Sequence, residues 1–420
     1  MSYVPRVLDT ELHMALESTG AVLIEGPKWC GKTKTATQAA ASSIYMQDPD
    51  QARAYMAMAD VQPSLLLEGA TPHLIDEWQM APVLWDAVRH AVDQRGIPGQ
   101  FILTGSAVPP IAKASHTGTG RIARIRMRPM SLYESGESTG SVSLNALFEQ
   151  SQSSISQPSA LSIKDIAYVL CRGGWPATLN LSEKAALRTS RDYVDAVAQY
   201  DVSAVDDVAR NPERVRLLLR SLARNTATFA TITTLTQDIE SHDAKTTEKT
   251  ISSYLTALRQ IFVVEDLPAW APSLRSKTAI RTSDKRHFVD PSIATAALRT
   301  DPKGLLSDFL TFGFLFESLC ARDLRVYTQT NDGDVLHYRD KNNLEADLII
   351  RLRDGRWAAV EVKLGQSEID KAASNLLALN AQIDRQKMNP ASFLMVLTGG
   401  THAYQRTDGV WVVPLGCLKP

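Results

Sequence analysis

The sequence predicts an α/β protein of two or three domains, with a parallel sheet near its start and a second α/β layer at its end. A chain of 420 residues, 44% of them apolar, exceeds what a single hydrophobic core usually supports. Three short apolar runs near the start end in polar residues, as buried parallel strands do. From Leu305 onward the pattern predicts a helix to about Leu324, several strands beginning near Val326, a second helix and further strands.

Charge and cysteine usage limit the possible classes of protein. Lys plus Arg number 45 against 46 Asp plus Glu, which excludes a uniformly basic nucleic-acid coat but allows local basic faces. The four cysteines are far apart and form no CxxC pair, which argues against a disulfide framework and a zinc site. The start has no signal-peptide pattern, and no stretch approaches the ~20 apolar residues of a membrane span. We therefore expect a cytoplasmic protein with no membrane partner.

The first predicted strands cover residues 22–24, 74–75 and 101–103, with a fourth at 123–127. Helical patterns lie between them, including 34–41 and 82–92. Alternating strands and helices favour a parallel sheet whose carboxyl ends carry the chemistry.

A glycine-rich loop follows the first of these strands. Glycines let backbone N–H groups curl around phosphates, Lys32 would reach the terminal phosphates, and Thr33 would ligate magnesium. The alternative is an ordinary strand-to-helix turn. Residues 26–33 have the pattern GxxxxGKT of a P-loop. This motif predicts ATP and Mg²⁺ as cofactors, bound by Gly26, Pro27, Lys28, Trp29, Cys30, Gly31, Lys32 and Thr33.

Polar residues end the next two predicted strands. Asp76 would hold magnesium indirectly, and Glu77 would orient or activate the attacking water. Either carboxylate could instead cap the following helix. Thr104 and Ser106 could hold the water in line with the γ-phosphate.

This layout resembles the AAA+ superfamily, with Thr104 or Ser106 at the sensor position. The resemblance implies ATP hydrolysis and suggests a homo-oligomer, a hexamer above all, although some relatives of this nucleotide fold work as monomers or dimers. In that superfamily an arginine before the last core strand reaches the neighbouring subunit's nucleotide. Arg121 best fits that place, and Arg124 is the alternative. Either residue could instead be an ordinary solvated arginine at the edge of a strand.

The middle of the chain reads as mostly helical. Residues 136–158, rich in Ser and Gly, predict a flexible connection or an insertion, and helices are expected at 163–170 and 183–208. Residues 231–270 have the form of a winged helix-turn-helix, with a second helix at about 246–260 and a strand at 261–265.

Basic residues in and after that second helix suggest a route to duplex or branched DNA. A solvated face or a protein contact would look the same in the sequence. The candidates for DNA contact are Lys245, Lys249 and Arg259 in the helix, then Arg275, Lys277, Arg281, Lys285 and Arg286 downstream.

Acidic residues lie on two predicted strands around a turn at residues 354–355. Glu361 and Lys363 are two apart, so they point to one face of their strand, and Asp347 lies on the paired strand. With Asp347 and Glu361 as metal ligands, this would be a magnesium site beside a lysine that helps orient or deprotonate a nucleophile. Cross-strand Glu and Lys pairs on an exposed sheet are the alternative.

Asp347, the later ExK pattern and Glu317 in the preceding helix resemble the PD-(D/E)xK nuclease fold, although Ala346 stands where proline is expected. The whole chain resembles a prokaryotic family in which an AAA+ domain precedes a domain called DUF4143. That resemblance implies an ATPase, a winged helix and a restriction-endonuclease-like α/β end. It rests on residues 126–132, 173–176, 267–270, 288–290 and 345–363.

We expect a P-loop core at 1–135, a linker and helical lid at 136–225, a winged helix at 226–300 and a nuclease-like domain at 301–420. The preferred hypothesis is an ATP-driven motor that remodels or moves on duplex or branched DNA, Holliday junctions included, coupled to a magnesium-dependent nuclease-like domain. The alternative is a nucleotide-controlled switch whose nuclease-like domain is inactive and binds DNA or protein.

Overall fold

A computed structural model describes residues 3–107, 117–152, 157–206, 208–240, 246–272, 283–342, 344–386 and 388–420. The chain divides into two compact units. The N-terminal unit comprises Met1–Pro129, Tyr200–Ala209 and Thr256–Phe262; the C-terminal unit comprises Met130–Gln199, Arg210–Leu255 and Val263–Pro420. The four-part division expected from the sequence stays a prediction.

The strands are numbered in chain order. They are β1 (Ala21–Glu25), β2 (Ser42–Tyr45), β3 (His73–Asp76), β4 (Phe101–Gly105), β5 (Ile122–Arg126), β6 (Val142–Ser143), β7 (Asp334–Arg339), β8 (Glu345–Arg351), β9 (Trp357–Lys363), β10 (Leu394–Thr398), β11 (Tyr404–Gln405), β12 (Trp411–Pro414) and β13 (Leu418–Lys419).

The helices follow the same convention. They are α1 (Leu8–Ser18), α2 (Lys32–Ala39), α3 (Ala52–Val61), α4 (Val83–Arg95), α5 (Leu144–Phe148), α6 (Ile163–Arg172), α7 (Glu183–Ala196), α8 (Val202–Ala204), α9 (Pro212–Arg224), α10 (Ile232–Glu240), α11 (Glu248–Gln260), α12 (Pro291–Leu298), α13 (Pro302–Ser307), α14 (Phe309–Tyr327) and α15 (Ile369–Gln382). Among the helices in the described ranges, none combines the length and hydropathy needed to span a lipid bilayer.

The N-terminal unit is built on a five-stranded sheet in the order β2-β3-β4-β1-β5, and every pairing in it is parallel. Successive side chains of a strand point to opposite faces. Leu23, Ile75 and Leu103 therefore enter one apolar cluster, while Val22 and Leu74 enter the other. The predicted parallel P-loop sheet is confirmed, and its carboxyl edge gathers the ends of β1, β3 and β4.

The C-terminal unit contains a six-stranded mixed sheet in the order β11-β12-β10-β9-β8-β7. Strands β7, β8 and β9 form an antiparallel meander, and β10 then pairs parallel with β9. Helix α15, whose buried residues include Ala373 and Leu376, packs in the same apolar cluster as Ile349 and Trp357. The predicted helix-strands-helix-strands order of this α/β layer is confirmed.

Three local predictions were wrong. Residues 142–143 form a strand that pairs with Leu418–Lys419, so the segment at 136–158 is partly tied into a sheet. Val326, expected in a strand, is buried in α14 because apolar residues continue on that helix to its last turn. Residues 261–265 form no strand; Val264 instead makes an isolated antiparallel bridge with Phe288.

Candidate functional site

The glycine loop between β1 and α2 needs glycine at both of its ends. A Cβ on Gly26 would lie 2.1 Å from the Met127 carbonyl oxygen, far inside van der Waals contact. Gly31 has a φ of 107°, a conformation that side chains with a Cβ rarely adopt, and it directly precedes α2. The loop therefore turns sharply and delivers the N-terminus of a helix, which is where backbone N–H groups bind phosphate.

Lys32 and Thr33 begin that helix and are held by hydrogen bonds. The Lys32 side chain is buried, and its ammonium donates to the carbonyl oxygens of Gly26 (3.0 Å) and Pro27 (2.8 Å). The Thr33 hydroxyl donates to Asp76 Oδ1 at 2.7 Å. The Lys32 ammonium is therefore hydrogen-bonded to its own loop. Phosphate oxygens can take the place of the two carbonyl oxygens as its acceptors.

The acidic pair lies at the end of β3 and is tied to the end of β4. The buried Thr104 hydroxyl donates to Asp76 Oδ1 at 2.6 Å and accepts from the Glu77 N–H at 3.1 Å. Ser106 Oγ donates to Glu77 Oε2 at 3.2 Å. Glu77 has a φ of 55°, an uncommon value for a residue with a Cβ. Such strain is typical of functional sites that position one side chain.

These predicted residues therefore meet in one place. The Thr33 hydroxyl and the Asp76 carboxylate are oxygen ligands of the kind that Mg²⁺ prefers, and they lie beside an ammonium and a helix N-terminus. The residues present fit a magnesium nucleotide, with Thr33 and Asp76 able to hold the ion directly or through water and Lys32 able to contact the phosphates.

The remaining loop residues have other contacts. Lys28 forms an ion pair with Asp201 at 2.7 Å, and Trp29 is 52% exposed. Cys30 is buried, with its Sγ 3.7 Å from the Met127 carbonyl oxygen. The predicted contacts of these three residues with the nucleotide would therefore come from their backbone N–H groups.

The two candidate arginines each have a partner within the chain. Arg121 Nε lies 2.8 Å from Asp93 Oδ1, and this hydrogen bond lowers the pKa of Asp93. Arg124 Nη1 lies 3.6 Å from Glu25 Oε2, and the Arg124 guanidinium lies over the Trp85 ring. A role for Arg121 or Arg124 on a neighbouring subunit stays a prediction.

The C-terminal unit also brings its predicted site residues together. Strand β8 pairs antiparallel with β9, with Leu348 opposite Val360. Asp347 and Glu361 each lie one residue beyond this pair, at the same end of the two strands. Lys363 Nζ lies 3.0 Å from Glu361 Oε2 and 3.7 Å from Asp347 Oδ2. These groups line a cleft of about 220 Å³ formed by Glu345, Asp347, Glu361, Lys363, Glu368, Lys371, Ala372 and Asn375.

A further charged residue, Lys285, completes this cluster. Its ammonium lies 2.5 Å from Glu317 Oε1 and 3.3 Å from Asp347 Oδ1, and its side chain is only 6% exposed. Burial acts against its charged form, but the two carboxylates outweigh burial and raise the pKa of Lys285. In the sequence it is one member of a basic run, and nothing in that run distinguishes it from its neighbours.

The DNA-contact interpretation of that run is therefore wrong at two positions. Lys285 is buried in the acidic cluster, and Arg286 is buried with its Nη1 2.8 Å from Asp266 Oδ2. Lys249 and Arg259 are exposed on α11. The other candidates lie outside the described residues: Lys245, Arg275, Lys277 and Arg281.

The pKa values of the acids in the cluster shift in different directions. Burial raises the pKa of Glu317 to about 8 and, together with the Asp347 charge, that of Glu361 to about 7. Burial opposes ionisation of Asp347 as well, but Lys285 and Lys363 outweigh it and lower the pKa of Asp347. Within the described part of the chain, no group of three or more His, Cys, Asp or Glu side chains has a metal-binding arrangement.

Comparison with known families agrees with the P-loop geometry. Residues 18–136 match the AAA domain family, and residues 312–418 match the domain of unknown function DUF4143. The chain carries an AAA domain and a DUF4143 domain. Residues 163–304, between the AAA domain and the DUF4143 domain, match a further domain of unknown function, DUF8612. The AAA domain supports an ATPase.

Individual relatives are distant. Two mycobacterial proteins, the uncharacterized protein Mb2031c of Mycobacterium bovis and the uncharacterized protein Rv2008c of Mycobacterium tuberculosis, are each 22% identical over 406 residues, which is 96% of this chain and 82% of theirs. Among solved structures, the Walker-type ATPase PABY2304 of Pyrococcus abyssi aligns with a TM-score of 0.40 and 14% identity, covering 69% of this chain and 94% of its own.

Proposed function

We propose that the protein hydrolyses ATP with Mg²⁺ at the edge of its parallel sheet and uses the nucleotide state to control its contact with DNA. The observation that carries the hydrolysis proposal is the linked set of hydrogen bonds around the acidic pair. One Asp76 oxygen accepts from both Thr33 and Thr104, and Thr104 in turn accepts from the Glu77 N–H.

Each residue would contribute a defined step. Lys32 would exchange the carbonyls of its own loop for phosphate oxygens, and the N–H groups at the start of α2 would hold the remaining negative charge. Mg²⁺ held by Thr33 and Asp76, directly or through water, would neutralise part of the phosphate charge. Glu77, fixed by Thr104 and Ser106, would accept a hydrogen bond from the attacking water and keep it in line with the bond to be broken.

The test is phosphate release from Mg-ATP by the wild type and three variants. Lys32→Ala and Glu77→Gln are expected to lower the rate by at least about a hundredfold, because positioning and charge stabilisation supply most of the barrier reduction in phosphoryl transfer. Lys34→Ala removes an exposed lysine from the same helix and is the matched control. Equal rates in all four proteins would contradict the proposed site.

The DNA part of the proposal is supported by exposed basic side chains. Lys249 and Arg259 belong to α11, the second helix of the expected helix-turn-helix, and both are exposed. Helices of that kind contact phosphates and groove edges. We expect Lys249→Ala to weaken binding to labelled single-stranded, duplex, forked and four-way-junction DNA, and ATP to change the affinity. Salt-independent binding, unchanged by Lys249→Ala, would count against this contact.

A second candidate is a DNA motor coupled to a magnesium-dependent nuclease. It is favoured by the proximity of Asp347, Glu361 and Lys363 on paired strands. This candidate predicts DNA products on a gel that disappear in Asp347→Ala while ATP hydrolysis persists. ATP hydrolysis that DNA stimulates, with no DNA cleavage, would exclude the nuclease and favour the nucleotide-controlled contact with DNA.

The oligomeric state belongs to both candidates. If an arginine of one subunit contacts the nucleotide of its neighbour, as in AAA+ assemblies, the molecular mass of the protein in solution should rise on addition of ATP. Arg121→Ala should then lower hydrolysis without lowering ATP affinity. A monomer that hydrolyses ATP at the same rate at all protein concentrations would exclude a trans-acting arginine.

A further inference from the structure

Lys285 is fixed by its backbone as well as by its charge. Its N–H donates to the Leu267 carbonyl oxygen at 2.9 Å, and its own carbonyl accepts from the Leu267 N–H at 2.8 Å. The next residue, Arg286, donates its N–H to the Thr228 carbonyl oxygen at 2.8 Å, and His287 accepts from the Glu265 N–H at 3.0 Å. The segment that carries the lysine is therefore anchored on both sides, and its side chain enters the cluster from a fixed base.

The ammonium and its neighbours already engage the acids that would hold a metal. Asp347 Oδ1 and Glu317 Oε1 share Lys285, while Asp347 Oδ2 accepts from the Val362 N–H at 2.9 Å. Glu361 Oε2 is paired with Lys363 at 3.0 Å. Each of the three carboxylates thus has an ammonium partner, and both oxygens of Asp347 are engaged.

A divalent cation would need these same oxygens. Mg²⁺ binds oxygen ligands at about 2.0–2.1 Å in near-octahedral geometry, so an ion held by Asp347 with either Glu361 or Glu317 would have to approach an Asp347 oxygen to that distance. Lys285 Nζ lies within hydrogen-bond distance of Asp347 and Glu317, and its positive charge repels a second cation there. The residues present do not fit Mg²⁺ while Lys285 is in place.

We propose that Lys285 is the built-in cation of the C-terminal carboxylate cluster and that it excludes a divalent metal from the folded protein. The cluster is then metal-independent, with its carboxylates in the DUF4143 match and Lys285 in the preceding DUF8612 match, consistent with a binding module. This inference does not depend on ATP hydrolysis. It bears on the second candidate function, whose nuclease would need the metal.

The test is Mn²⁺ binding by nucleotide-free full-length protein, measured by titration calorimetry and by electron paramagnetic resonance of the free ion. The proteins are the wild type, Asp347→Asn, Lys285→Met and the double variant Lys285→Met with Asp347→Asn. Lys303→Met removes an exposed lysine on α13 and is the matched control. Phosphate release from ATP, measured on the same samples, reports separately on the P-loop.

In the wild type we expect no Mn²⁺ binding that depends on Asp347. Lys285→Met should gain one Mn²⁺ site, tighter than in the wild type by about a hundredfold or more, since a repelling unit charge near 4 Å is removed at an effective dielectric constant of about 20. The double variant should lose that site again, and Mn²⁺ should raise the unfolding temperature of Lys285→Met alone.

Two results would overturn the proposal. One is Asp347-dependent Mn²⁺ binding of equal affinity in the wild type and in Lys285→Met. The other is a folded Lys285→Met protein that gains no site. If Lys285→Met does not fold, the comparison of the wild type with Asp347→Asn still decides, because Asp347-dependent binding by the wild type contradicts the proposal and its absence supports it.

Discussion

The Thr104 hydroxyl offers a direct test of how the proposed hydrolysis site is held. It is fully buried, donates to Asp76 at 2.6 Å and accepts from the Glu77 N–H at 3.1 Å. Thr104→Val replaces the hydroxyl by a methyl group of similar volume, so the substitution removes both hydrogen bonds with little change in packing. Thr104→Ser keeps the hydroxyl and loses only a methyl group, which makes it the matched control.

The expected cost follows from the two bonds. A hydrogen bond to a charged group contributes about 1.5–3 kcal/mol, and a buried N–H left without a partner costs about 1–3 kcal/mol. Asp76 retains the Thr33 hydroxyl, so the two effects do not add in full. We expect Thr104→Val to lower the free energy of unfolding by about 2–4 kcal/mol, and Thr104→Ser by about 1 kcal/mol.

The same change should impair catalysis, because the Glu77 backbone is held in its unusual conformation partly by this bond. We expect kcat for ATP to fall by about ten- to a hundredfold in Thr104→Val, with a smaller change in KM. Urea unfolding and steady-state phosphate release on one preparation would measure both effects. A Thr104→Val protein that unfolds and turns over like Thr104→Ser would show that these two bonds do not hold the site.

Three further predictions concern other parts of the chain. Gly26→Ala should abolish ATP binding in equilibrium dialysis, because its Cβ would lie 2.1 Å from the Met127 carbonyl oxygen; retained binding would contradict the loop geometry. Arg322→Met should cost about 3–5 kcal/mol in urea unfolding, because it strands two buried carboxylates, whereas Arg188→Met, at an 80% exposed side chain, should cost under about 0.5 kcal/mol. Burial lowers the pKa of His337 from 6.5 to about 4, so the unfolded protein binds this proton at a higher pH than the folded protein does. The free energy of unfolding should therefore fall by up to about 3 kcal/mol as the pH drops from 6.5 to about 4. That slope should be smaller in His337→Gln, and an equal slope would count against the assignment.

The candidate nucleotide site and the sheet that carries it could be predicted from the order of residues alone. The chemistry of residues 26–33 depends on neighbours in the chain, since a glycine loop followed by a helix start makes its phosphate cradle from its own backbone. Apolar runs that end in Asp76 or Thr104 predict strand ends, and parallel strands place such ends at one edge. Local order along the chain therefore fixed which groups would meet.

The antiparallel pairing of the two C-terminal acidic strands was also predictable from their spacing and turn. Two-residue periodicity placed Glu361 and Lys363 on one face, and the structure brings both to Asp347. Their catalytic roles, like the contacts to DNA, stay predictions.

The position of Lys285, in contrast, emerged only from the packing of distant segments. In the sequence it belongs to a basic run, and such a run looks the same whether its side chains face water or are buried against acids. Its partners Glu317 and Asp347 lie 32 and 62 residues away along the chain. Charge pairing over such separations depends on how these segments come together in the fold, and no local pattern encodes it.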